Sequence, residues 1–396
     1  WLGWLGIAAA ALIFSFYSAL GGYCLRYVVV NFGNLIGAEF GTNGVGGADV
    51  FQGLLSQPDV SIAFALAFML ITMLVVMCGV GGGIERVCSV GMPALFFILI
   101  ICIIRSCTLP GAADGLKYMF VPGWAVANGI IDEAPGFWRV LTAAGGQMFF
   151  SLSLGAGVMI TYGSYLDKKQ DLGKSTMIIV GMDTVVALMA GLCVIPGRFA
   201  LDPNGALGGP ELLFITMQNV FDKMGPAGPV FGILFYLLVF FAAISSSISM
   251  LEVIVAHFCD KAREKGKGDR RKLYSAIAVV ICAALCALVC ADGMGSNHIS
   301  PAELLGLAGA KLPGWSTSWL GLFDSVAEGL LMPLGALLMC LMISWELKPD
   351  ALRQEILLNG ENRPWVYDFF RLCVKYITPL CMLMILYGQI SDFFIV

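Results

Sequence analysis

The sequence predicts an all-α integral membrane protein with about nine transmembrane helices, and three observations predict it. Of its 396 residues, 59% are hydrophobic and only 13% are charged, whereas a soluble domain carries roughly 25% charged residues. Mean hydropathy is +0.86, which leaves too little polar surface to coat a globule in water. Apolar runs lie near 3–31, 59–80, 89–106, 138–164, 174–196, 229–259, 273–292, 319–345 and 366–394. Each is long enough to cross a hydrocarbon core of about 30 Å. A β-barrel would instead show alternating segments of about ten residues.

The connectors set an orientation, because Lys and Arg mark cytoplasmic loops. The stretch DKAREKGKGDRRK holds seven of them, YLDKKQDLGK three and ELKPDALRQEILLNGENR three, while 32–58 has none and 293–318 only Lys311. This alternation places residue 1 on the cytoplasmic side and the C-terminus outside. Trp1 already borders an apolar run, with no initiator Met and no charged leader, so the chain is expected to be a fragment whose N-terminus lies upstream. The net charge of −4 gives no sign of nucleic-acid binding. Most of the thirteen cysteines lie singly in apolar runs without a CxxC pair, as small hydrophobes do. His257 and Cys259 are two residues apart on a helix and do not face one metal.

Polar residues inside the runs carry the functional signal. In the first run Ile13, Tyr17 and Gly21 share a face; Tyr17 suits either a ligand carboxylate or an aromatic core. The fourth run, GQMFFSLSLGAGVMITYGSY, places Ser151, Ser153, Gly155 and Gly157 at membrane depth. Non-helical backbone is tolerated there only within protein or along a cavity, and glycine-interrupted spans point to the binding site of a secondary transporter. Close helix packing is the competing explanation. Asp183 in the fifth run costs roughly 2.5–3.5 kcal/mol on insertion scales and by default marks a functional site; a protonated, hydrogen-bonded Asp is the alternative. In the sixth, Ala242, Ser245, Ser246, Ser249, Glu252 and Asp260 fall on one helix face. Hydroxyls and carbonyls there suit a hard cation of low charge such as Na⁺. The 201–228 connector carries an apolar helical stretch between Gly/Pro breaks, either a cap or a plain link.

The segments GIERVCSVGMPALFFILI, AADGLKYMFVPG, GQMFFSLSLGAGVMITYGSY, FFAAISSSISMLEV and FDSVAEGLLMPLGALL resemble the bacterial branch of the neurotransmitter:sodium symporters. The resemblance covers essentially the whole chain. It implies the LeuT fold of two inverted five-helix repeats, in a single transmembrane transporter domain over 1–396. The chain would run from the family's third helix to its eleventh, with the first two absent, and is expected not to transport on its own. It also implies roles. Phe150 looks like the lid over the substrate, and Ser153, Leu154, Gly155, Ala156 and Gly157 like its contacts on the broken helix. Ile13, Tyr17, Ser246 and Met250 complete the substrate-facing set. Ser151 and Asp183 match ligands of a first Na⁺, and Ala242, Ser245 and Ser246 match ligands of a second. Tyr165 and Asp260 match the cytoplasmic gate, and Gln147 flanks the outer one.

Three departures from the family pattern matter. Asp183 stands where Asn is common, so its fixed charge implies that chloride is not required. The outer-gate acid expected three residues after Asp324 is Ala327, with Glu328 beside it. Ala156 replaces a bulkier side chain, which implies room for a large apolar or aromatic substrate. The expected function is Na⁺-coupled symport of a neutral amino acid across the plasma (inner) membrane, by a multi-pass carrier embedded in lipid for which a homodimer is allowed. A proton-coupled carrier and a non-transporting scaffold or receptor are the rivals. An intramembrane aspartyl protease is disfavoured, because no YD or GxGD motif surrounds Asp183 or Glu252.

Overall fold

The computed structural model describes residues 2–42, 44–167, 169–206, 208–268, 270–306, 314–347, 349–357 and 364–394. Trp1, Lys311 and Val396, which bear on the orientation argument, lie outside the described residues. Helix α1 (Leu2–Ile36) is 35 residues long; at 1.5 Å per residue it overhangs a bilayer core. After α2 (Gly47–Leu55), Pro58 starts α3 (Pro58–Met77), its missing N–H harmless in a first turn. Gly79, at φ 81°, ends α3, and a π-turn over Val80–Ile84 leads into α4 (Glu85–Cys107). The short α5 (Ala112–Phe120) and α6 (Trp124–Ala127) precede α7 (Phe137–Ser151) and α8 (Val158–Gly163).

The second half begins with α9 (Leu172–Leu201), the connector helices α10 (Gly209–Glu211) and α11 (Met217–Lys223), and the 37-residue α12 (Gly228–Glu264). Then come α13 (Arg271–Asp292), α14 (Pro301–Leu304), α15 (Trp319–Val326) and α16 (Met332–Trp345). Finally α17 (Pro349–Ile356) and α18 (Pro364–Leu372) lead to α19 (Thr378–Phe394). Eight continuous helical segments among the described residues are long and apolar enough to span a membrane. The sequence predicts nine. The 138–164 run is the one that differs, because it is broken into α7 and α8 rather than crossing as one rod.

The core is the packing of α1 on α12, with α3 and α13 closing around them. Small residues set how closely the helices approach. A Cβ at Gly22 would lie 2.5 Å from the Ala65 backbone nitrogen and 2.7 Å from its Cα, so α1 and α3 touch nearly backbone to backbone. A buried hydroxyl pair, Thr72 with Ser247 at 2.8 Å, ties α3 to α12. Large side chains such as Leu74, Phe97, Val280 and Leu380 point outward and stay exposed. In hydrocarbon that exposure carries no hydrophobic penalty.

The 201–228 connector is a packed cap rather than a plain link. Phe214 stacks on Phe51 at 5.4 Å between ring centroids and meets Tyr27 at 5.2 Å. The Tyr236 hydroxyl donates to the Leu213 carbonyl at 3.0 Å. Asn31 on α1 donates to the Gln218 side-chain oxygen at 2.9 Å, and both side chains are fully buried. Gln218 in turn donates to the Asp222 carboxylate at 2.9 Å. Burial pushes that carboxyl above its ordinary value of 3.8, against the opposing pull of the Gln218 amide.

Two outcomes follow from this packing. Gly22→Val forces α1 from α3 and should cost about 1–3 kcal/mol as overpacking does, read as a lower thermal unfolding midpoint in detergent; an unchanged midpoint contradicts the close crossing. The raised Asp222 acidity constant means that the folded state binds this proton more tightly than the unfolded chain. Its unfavourable contribution to stability therefore grows as pH rises above 3.8. Asp222→Asn should raise the unfolding midpoint at neutral pH, with a gain that vanishes in acid; a gain independent of pH would refute the desolvation argument.

Candidate functional site

The site forms where helix α7 stops in mid-membrane. Its last regular bonds are Leu152 N–H to Met148 O at 3.0 Å and Leu154 N–H to Phe149 O at 2.9 Å. Ser153, Gly155 and Gly157 then take φ of 51°, 79° and 77°, left-handed conformations that glycine adopts freely and serine only with strain. The backbone N–H groups of Gly155, Ala156 and Gly157 donate no hydrogen bond among the described residues. A Cβ on Gly155 would strike the Met332 carbonyl, where α16 begins. A Cβ on Gly6 would come within 3.1 Å of the Gly157 Cα. The break is thus wedged between the backbones of α1 and α16.

Beside it lies a cavity of about 230 Å³. Its walls are Ile13 and Tyr17 from α1, Gln147, Phe150, Ser151, Ser153, Ala156 and Val158 from the broken helix, Ser246 and Met250 from α12, and Met332 from α16. The Ser151 hydroxyl donates to the Asp183 carboxylate at 2.7 Å, so the two carboxylate and hydroxyl oxygens proposed for a cation meet across α7 and α9. Small Ala156 leaves one wall open, while Ile13, Val158, Met250 and Met332 make it apolar. This suits a ligand with one charged end and one greasy end.

Most residues singled out in the sequence gather here. Leu154, Gly155 and Gly157 sit at the break but do not line the cavity. On α12, Ala242 lies one turn before Ser246 and Ser245 immediately before it, both outside the lining. Ser245 donates to the Ala242 carbonyl at 2.8 Å, and Ser249 donates to the Ser245 carbonyl at 3.1 Å. Val158 and Met332 were not legible as lining residues, since an apolar side chain in an apolar run gives no signal. Asp324, near the end of α15, and Glu328 lie one helical turn apart, and Ala327 is wholly buried.

At the lysine-rich end, Tyr165 does not join Asp260. Its hydroxyl donates to Glu252 at 2.6 Å, and Glu252, fully buried, pairs with Arg271 at the start of α13. Arg271 also donates from Nε to the Val76 carbonyl at 2.8 Å, tying in α3. Asp260 is exposed and, among the described residues, forms an ion pair only with Arg263 on its own helix, at 3.6 Å. A step above, Tyr162 and Ser249 share a 2.9 Å hydroxyl bond. The available signal for Arg271 was a basic residue opening a span beside an in-span acid.

Removing Arg271 leaves the Glu252 charge buried without a partner. Arg271→Ala should therefore cost about 3–5 kcal/mol, against about 1 kcal/mol for Tyr165→Phe, as measured by unfolding titration in detergent. Glu252→Leu combined with Arg271→Met should recover most of the loss. A double variant as weak as Arg271→Ala would show that geometry, not the orphaned charge, sets the cost.

Comparison with known proteins matches this architecture. The model of the Sodium:neurotransmitter symporter family fits residues 47–394. The chain is 36% identical, over 98% of its length and 79% of the relative's, to the uncharacterized sodium-dependent transporter YhdH of Bacillus subtilis. It is 28% identical, over 97% of the chain and 78% of the relative, to an uncharacterized sodium-dependent transporter of Haemophilus influenzae. Among solved structures it is similar to MhsT, determined in complex with L-phenylalanine, with a TM-score of 0.78 and 31% identity over 98% of this chain and 80% of that one. The broken helix, its cavity and these likenesses agree: the chain belongs to the sodium:neurotransmitter symporter family of sodium-dependent transporters and has the LeuT fold.

Proposed function

We propose that the protein is a sodium-coupled symporter for neutral amino acids of the large apolar or aromatic kind. The observation that carries this reading is the 2.7 Å Ser151–Asp183 bond beside a cavity whose broken helix leaves three backbone N–H groups free. In this reading the substrate carboxylate takes the Tyr17 hydroxyl and the free N–H groups. Its side chain lies toward Ala156, Ile13 and Met250, under Phe150. A first Na⁺ sits at Ser151 and Asp183, with the substrate carboxylate close by. A second takes the Ala242 carbonyl and the Ser245 and Ser246 hydroxyls, the Ser245 hydroxyl turning from its bond to that carbonyl. The complex of MhsT with L-phenylalanine supports an aromatic substrate.

Asp183 supplies a fixed negative charge beside the first cation, so chloride is not needed. The Lys/Arg-rich connectors face the cytoplasm of a multi-pass carrier in the plasma membrane. Alternating access closes Phe150 and Tyr17 on the outer side, and then parts the Tyr165–Glu252–Arg271 cluster on the inner side. The driving force is adequate. One charge crossing 100 mV releases about 2.3 kcal/mol, and a tenfold sodium gradient adds roughly 1.4 kcal/mol. Together these sustain on the order of 500-fold accumulation of a zwitterion per ion.

Uptake of labelled L-phenylalanine by proteoliposomes holding the full-length protein tests this. A sodium gradient alone should drive accumulation, and a pH gradient alone should not; the reverse result establishes the proton-coupled rival. Replacing chloride with gluconate should leave the rate unchanged. Asp183→Ala should weaken sodium affinity roughly 10–100-fold, the worth of a charge-assisted bond, and Asp183→Asn should make uptake depend on chloride. Unchanged sodium affinity in Asp183→Ala would remove that carboxylate from the site.

A further inference from the structure

A second cavity, of about 260 Å³, lies at the lysine-poor end between α1, the Gly41–Thr42 turn, α2 and the start of α3. It is as roomy as the central cavity and shares no lining residue with it. Its inner wall is closed by Tyr27, which is wholly buried and packs its ring against Phe214 and Tyr236. Beside it on α1 is half-buried Arg26, with its guanidinium over the Phe64 ring at 5.8 Å. No described carboxylate stands within ion-pair distance of it. At the exposed rim, Asp49 in the first turn of α2 is likewise without an ion-pair partner among the described residues. Val30, Val50 and Leu54 supply the apolar surface between the two.

We infer that this cavity is a second ligand site, for a free amino acid. A carboxylate entering first takes the planar guanidinium fork of Arg26. The ammonium then stays at the rim against Asp49, and an apolar side chain runs along the valines. A simple anion would be repelled by Asp49 and a simple cation by Arg26, so the pair selects a molecule bearing both charges. A zwitterionic lipid headgroup shares this chemistry, but the size of the cavity and its place inside the helix cluster favour a free molecule. None of its lining residues is among the sodium ligands proposed above, so binding here is independent of sodium. The inference does not depend on the reading of the central cavity.

The test is equilibrium binding of tritiated L-phenylalanine to the full-length protein in nanodiscs of phosphatidylglycerol alone, in choline buffer without sodium. A sodium-independent site should appear at one per chain. Arg26→Gln should weaken it at least tenfold and Asp49→Asn severalfold, while Arg26→Lys should keep part of the affinity, which separates loss of contact from loss of fold. No sodium-independent binding, or binding indifferent to Arg26→Gln and Asp49→Asn, overturns the site. Acetate competing as well as L-phenylalanine overturns the zwitterion assignment. Displacement of the label by phosphatidylethanolamine added to the discs assigns the cavity to a lipid headgroup instead.

Discussion

The structure depends on one steric constraint: the chain at Gly155 must pass so close to the Met332 carbonyl that no side chain fits. That approach holds the interruption of α7 and α8 against α16, and Gly6 holds its other end against α1. Unpaired backbone groups at membrane depth are costly in lipid and tolerated beside a protein-lined cavity. The same wedge sets the break beside the cavity lined by Tyr17, Ser151 and Ser246. Fold and site are therefore one solution to one problem, and the polar groups that weaken the span are the groups available to a ligand.

Much of this was legible in the sequence, for identifiable reasons. A hydrocarbon solvent forces long apolar runs, so helix positions could be read directly, and only the 138–164 run differed, in the direction its glycines indicated. In-span polar residues are expensive, so Asp183, Ser151 and Ser246 stood out and are found together. What stayed hidden depends on three-dimensional neighbours. Met332 and Val158 line the cavity with ordinary apolar side chains. The partner of Tyr165 could not be read from spacing, because Glu252 and Asp260 lie on the same helix two turns apart and only packing decides between them. The aromatic cap on Phe214 was equally invisible, since its partners come from three separate helices, α1, α2 and α12.

The two ends of the bundle are built differently. At the lysine-poor end, packing and neutral amides dominate: Phe214 among tyrosines, and Asn31 with Gln218 fully buried. Such contacts are numerous, individually weak and short-ranged. At the lysine-rich end, a few charged contacts hold the helices, and their strength comes from exclusion of water. Packing of the first kind yields gradually under small displacements, whereas a desolvated ion pair does not.

The Arg271 side chain has a consequence of its own. One guanidinium joins the last turn of α3, the middle of α12 and the start of α13, and through Glu252 it reaches Tyr165 beyond α8. Its acceptors cannot be surrendered one at a time without stranding a charge in a dry interior. Parting of these four segments is accordingly cooperative, an all-or-none event in which water must arrive as the bonds break, so that this end of the molecule has a shut state and a flooded state with little between them.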